Sequence, residues 1–278
     1  MSSDINCWED LLRWKTEFPS VIDRWLEVLR LLVAHTYPKD DDLVGHLIVP
    51  FLGASLPDIN DLMTLTCHDS HHGALKILRS LFERTITLKY IFENPSEAQR
   101  FMDFDAIDTE QILNGIKGLT GLGLNEPART NLAIAARKAR EAYRQDKCSG
   151  CGRPKYLGWT ALNSKDMADR IDMGHLHLHA FLMPSKLIHP SYWGLRDVVS
   201  SSSPMINTLK CAHELVVQML LVHRRHFAPE YFSEPRSCTP MIAGAIHDFL
   251  SVWVYSGTSF GGLLTRGETR TTGERIFY

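Results

Sequence analysis

The sequence predicts an all-α protein, a multi-helix bundle of roughly nine or ten helices with an irregular cysteine-containing loop. Three observations lead there. Apolar residues recur at three-and-four spacing along most of the chain, the period of amphipathic helices. Residues that cap helices stand in front of those runs: Ser96 after Pro95, Asn163 ahead of Ser-Lys-Asp-Met-Ala, Ser203 before Pro204 and Thr239 before Pro240. Alternating runs rich in β-branched residues are scarce, and the best of them, ERTITLKYIF, continues a helical period that begins near His72.

Each element follows from its own pattern. Trp8, Leu11 and Leu12, then Val21, Ile22, Trp25, Leu26, Leu29 and Leu32, describe two helices separated by Pro19. The apolar stretch from Leu43 to Leu56 is broken by His46 and Pro50 and falls short of the roughly 20 residues that span a bilayer. It reads as a core segment, and no membrane association is expected. In the next helix Leu75, Leu78, Leu81, Phe82 and Ile86 form a buried face, while His68, His72, Lys76, Arg79 and Glu83 fall at steps of four, four, three and four in one polar stripe. Further on, His175, His179, Leu182, Lys186 and His189 share a face if the helix passes Pro184 with a kink. Irregular chain is expected over Gly118 to Pro127, Ser149 to Gly158, Ser191 to Ser203, Ala228 to Thr239 and from Gly257 onward. The organisation is residues 1–60 as N-terminal helices packing on the core, 61–256 as the main helical domain, and 257–278 as a polar C-terminal tail.

Charge narrows the choice of partners. The formal net charge of −2 excludes a uniformly cationic surface. It is a cancellation: residues 1–60 carry five basic and ten acidic side chains, whereas residues 124–155 carry eight basic and three acidic. The basic 129–155 region has enough local charge to follow an RNA phosphate backbone, although a solvated helix face has the same composition. The amino terminus is acidic early and has no basic start followed by an apolar run, so no secretory signal is read and a cytoplasmic location is expected.

Three constellations carry chemistry. Arg79 and Glu83 lie four apart, either as a solvent-edge pair or as a guanidinium and carboxylate held beside an opening. Ser185 and His189 are also four apart, and Pro190 ends the helix at His189. An imidazole there titrates near neutrality and suits general acid or base work, or it is a capping or core histidine. The segment from Lys147 to Lys155 contains Cys148 and Cys151, spaced as half a tetrahedral zinc site. His175 and His179 are the nearest further ligands; a reducible thiol pair or a metal-free turn are the alternatives. The other cysteines suggest no disulfide framework, and no Walker loop, dinucleotide fingerprint, GxSxG elbow or HExxH is present.

Three segments, LRSLFERTITLKYIFENPSEAQRFMDF, Trp159 with Lys165 to Ala168, and PSKLIHPS, resemble an uncharacterised bacterial all-helical family of unknown function. The likeness runs from about His68 to Trp193 and maps its recurring residues onto Arg79, Glu83, Ser185 and His189. The cysteine pair is not part of that pattern. At greater distance the arrangement resembles helical HEPN-type proteins, many of them metal-independent ribonucleases with an arginine and a histidine acting at the scissile phosphate. The literal Arg-x4-His pairs, Arg30 with His35 and Arg170 with His175, occur at the frequency chance supplies. A serine, not an arginine, precedes His189 by four, so Arg79 would supply the positive charge from another helix.

The resemblance thus implies a metal-independent ribonuclease or related phosphoryl-transfer enzyme using His189 and Arg79, with Glu83 orienting and Ser185 positioning. The alternative is a noncatalytic helical binding or regulatory protein, in stress or phage defence, whose polar cluster bridges two core helices.

Overall fold

A computed structural model describes residues 23–68, 70–115, 125–143, 145–147, 150, 154–155, 158–188 and 202–231. Eight helices lie among these residues, so the fold is all-α, as the spacing predicts. They are α1 (residues 23–35), α2 (Leu43–Cys67), α3 (His71–Glu93), α4 (Glu97–Gly115), α5 (Glu126–Ala142), α6 (Ser164–Arg170), α7 and α8 (Ser202–Tyr231). Helix α7 begins as Gly174–His177, passes through a π turn at Leu178–Leu182 and ends as Met183–Ile188. Pro19, the Thr239–Pro240 start, Cys148, Cys151, His189 and the expected tail lie outside the described residues.

Side-chain caps open α2, α5 and α6, whereas Ser70 before α3 makes no such bond, and Ser203, expected to cap a helix at Pro204, already lies within α8. Asp42 accepts a hydrogen bond from Gly45 N–H at 2.9 Å and opens α2. Gly45 is required by this close approach, since a Cβ there would lie 2.1 Å from the Asp42 carboxylate. Asn125 caps α5 through Ala128 N–H, and Asn163 caps α6 through Asp166 N–H, the role its position predicts. Helix α5 therefore starts inside the stretch expected to be irregular through Pro127. Residues 228–231, also expected to be irregular, continue α8, and residues 154–155 pair antiparallel with Gln145–Lys147 as two short strands, β2 and β1.

Helix α3 is central, packed between α2 and α8 and covered by α6 and α7. Its predicted apolar face is buried throughout: Leu75, Leu78, Leu81, Phe82 and Ile86 join Trp25, Leu29 and Leu32 of α1, Ile48, Leu52, Ile59 and Leu62 of α2, and Leu215, Val216 and Met219 of α8. Helix α2 holds Pro50 and Pro57 within its length and runs unbroken across residue 60. It is long and apolar enough to cross a membrane, but Ile48, Leu52, Ile59 and Leu62 face this core. Arg84 of α3 binds Asp58 and the Ala54 carbonyl, fixing α3 against α2.

Helices α4 and α5 form an antiparallel hairpin with its own small core of Phe104, Ile107, Ala136 and Ala139. Arg140–Glu110 and Tyr143–Asp103 close it. Trp159, edge-on to Phe101, joins its base to the main core.

Candidate functional site

The polar stripe predicted on α3 is real from His72 onward: His72, Lys76 and Glu83 are exposed and Arg79 is half-buried. His68 is a correction. It is the C-cap of α2, separated from α3 by the turn that ends in Ser70, and so lies on a different element. Arg79 Nη2 lies 3.5 Å from Glu83 Oε1, a loose pair with 23% and 48% of the two side chains accessible. The firmer contact is aromatic. Arg79 Cζ sits 4.6 Å from the centre of the Phe181 ring, within cation–π range. Phe181 in turn stacks on His177, with centroids 5.0 Å apart, and both rings meet Phe82 of the α3 core face.

This contact depends on the π turn. Pro184 has no N–H to offer the Ala180 carbonyl, and its ring crowds that carbonyl in a regular α-helix. The chain absorbs the conflict by slipping one residue, with Met183 N–H reaching back to Leu178 O. The single kinked face predicted through Pro184 is therefore corrected: positions before and after the bulge no longer share one i, i+4 row. One turn past Phe181, Ser185 donates its hydroxyl to the Phe181 carbonyl. Two motifs far apart in sequence, the α3 stripe and the start of PSKLIHPS, thus meet at one seam between α3 and α7.

Residues 46–206, more than half of the chain, match DUF5677, a family of unknown function. The chain belongs to this family. No curated protein and no solved structure matches it. The match includes Arg79, Glu83, Ser185 and His189 and ends just inside α8.

In this DUF5677 chain the proposed zinc histidines have other surroundings. His175 Nε2 is 2.7 Å from Glu214 Oε1 of α8, and His179 is exposed within the π turn. Among the described residues no three His, Cys, Asp or Glu side chains cluster as a metal site. Burial pushes the Cys211 thiol up to about 12, so it is a neutral thiol near neutral pH.

A polar junction that the sequence reading missed lies along the same α3 face as Phe82. Lys89 Nζ donates to the Ile171 carbonyl at 2.9 Å and to Gln218 Oε1 at 3.2 Å, and lies 3.9 Å from Glu93. Burial lowers its pKa, and nearby Glu93 opposes that shift. The next residue after Ile171, Asp172, has φ 58°, a left-handed turn that asparagine and aspartate tolerate. The available signal was a lone lysine seven positions after Phe82, on an otherwise apolar row.

Helix α5 displays Arg129, Arg137 and Lys138 on its exposed surface, while Arg140 is taken up by Glu110. The predicted basic face is thus partly internal to the hairpin.

Proposed function

We propose that this DUF5677 protein is a metal-independent RNA-cleaving or related phosphoryl-transfer enzyme of HEPN-like type, acting at the α3–α7 seam. One observation carries the reading: Arg79 is held over Phe181, one turn before Ser185, so the guanidinium stands beside the segment that leads to His189. An arginine partly open to solvent and fixed by a ring is prepared to meet an anion.

In the proposed reaction a ribose 2′-hydroxyl attacks the adjacent phosphorus and the bond to the 5′ oxygen breaks. His189 accepts the hydroxyl proton and returns it to the departing oxygen. Arg79 stabilises the charge on the phosphorane-like state, and Glu83 keeps the guanidinium in place. Ser185 would contact phosphate by turning its hydroxyl away from the Phe181 carbonyl.

A second reading, a noncatalytic binding or regulatory protein, is favoured by the fact that Arg79, Glu83 and Ser185 each have a partner within the fold. Mixed RNA incubated in chelator with wild type, His189→Ala and Arg79→Ala separates the two. Cleavage by wild type alone is expected; equal absence of cleavage in all three supports the binding module instead.

Independently of that reaction, a structural zinc is proposed on Cys148 and Cys151, whose segment is bracketed by the β1–β2 pair, with His175 and His179 of α7 as the further ligands once His175 exchanges Glu214 for the metal. About one zinc per chain in a tag-free, chelator-free preparation is expected; none would remove it.

A further inference from the structure

The α4–α5 hairpin carries three of the six exposed large apolar side chains among the described residues: Met102 at 38% exposure, Ile112 at 63% and Ile134 at 50%. They lie on two opposite flanks. On α4, Phe104 and Ile107 face α5, as do the paired Asp103 and Glu110. Met102, Asp105, Asp108 and Ile112, at steps of three, three and four, occupy the reverse side, and both aspartates are exposed. On α5, Ala136 and Ala139 face α4, while Ile134, Arg137, Lys138 and Glu141 occupy the side turned away and are exposed. Neither Asp105 and Asp108 nor Arg137 and Lys138 take part in the ion pair that closes the hairpin.

One flank is therefore apolar and acidic, the other apolar and basic, within a single two-helix arm. Across the whole helices the asymmetry is the same. Helix α4 holds five acidic side chains and one basic, and α5 holds four basic and two acidic.

We propose that these flanks bind each other between copies of the chain, the α4 flank of one protomer on the α5 flank of the next. A nucleic acid would neutralise only the α5 flank and would leave Ile112 and Met102 exposed among aspartates. A second copy covers both flanks at once, pairing Asp105 and Asp108 with Arg137 and Lys138 around Ile112 and Ile134. Because the flanks face opposite ways, the contact is head-to-tail and not two-fold, so association runs beyond a dimer, as a ring or an open series. Exposed ion pairs alone contribute little; the isoleucines supply the driving force, and the charges set which flank meets which.

Two double charge reversals test this, Asp105→Lys with Asp108→Lys and Arg137→Glu with Lys138→Glu, each monitored by circular dichroism for retained helix. Sedimentation of the wild type at low salt should show association that rises with concentration and falls with added salt. Each reversal alone carries one sign on both flanks and should sediment as a monomer. Their equimolar mixture should associate again, because each variant then offers the flank the other lacks, and this rescue also answers a folding defect. A wild type that stays monomeric at every concentration, or a mixture that fails to associate, overturns the proposal. So does an α5 reversal that loses RNA retention yet associates as the wild type does, which assigns that flank to nucleic acid.

Discussion

His213 and His223 are the residues whose chemistry the interior changes most. Burial pushes each imidazole down to about 4, and His226 adds to the effect at His223. His223 Nε2 lies 2.8 Å from the Thr36 hydroxyl, and His213 packs 5.1 Å from the Trp25 ring, so both tie α8 to α1 and the turn after it. In the unfolded chain these groups take up a proton below their ordinary pKa of about 6.5, whereas the folded sites remain neutral down to about 4. The unfolded state binds more protons in that interval. Stability is therefore fully present above pH 6.5 and falls as pH is lowered toward 4, by up to about 3 kcal/mol per histidine. Urea midpoints measured from pH 7 to pH 4 should show this loss. In His223→Gln, which keeps a hydrogen-bonding side chain for Thr36, the acid loss should shrink by roughly half; an unchanged acid slope would show that His223 is not a source of it.

At the scale of an element, α7 decides whether the seam exists. Its π turn is a response to Pro184, and it presents Phe181 to Arg79. Pro184→Ala restores the missing N–H, so the segment is expected to close into regular α-helix and turn Phe181 off the guanidinium. A double-mutant cycle between Arg79→Ala and Phe181→Leu should give a coupling of about 0.5–2 kcal/mol in the wild type. It should fall to near zero in the Pro184→Ala background; an undiminished coupling would mean that the bulge does not position the ring. This element also marks where sequence reading stops. The buried face of α3 and the cap Asn163 follow from local rules, because spacing and side-chain oxygen chemistry act within one helix. The bulge does not, since Pro184 announces a disturbance but not whether the helix bends or slips. Lys89 escapes for a related reason: Ile171 and Gln218 come to it from α6 and α8, and no spacing within α3 encodes a partner on another helix.

At the scale of the molecule, two cores of unequal size make two units of unequal stability. The main core draws on α1, α2, α3, α6, α7 and α8, whereas the arm rests on Phe104, Ile107, Ala136 and Ala139, two of them alanines. Only Ala136 and Ala139 of α5 are buried. At about 25 cal/mol per Å² of apolar surface removed from water, two alanines hold a helix weakly, so most of what keeps α5 in place is its cap and the Arg140 and Tyr143 contacts. The arm should therefore open as a unit while the body stays folded. In native-state hydrogen exchange, amides of α5 and the outer half of α4 should exchange together at low denaturant. Those of Leu78, Phe82 and Ile86 should exchange only through global unfolding. Asn125→Ala removes the bond to Ala128 N–H and should cost about 1 kcal/mol. That loss should appear in full in the opening free energy of the arm and leave the slowest α3 amides unshifted. If the α3 amides move by the same amount, the arm and the body are one cooperative unit, and the division into two cores has no energetic meaning.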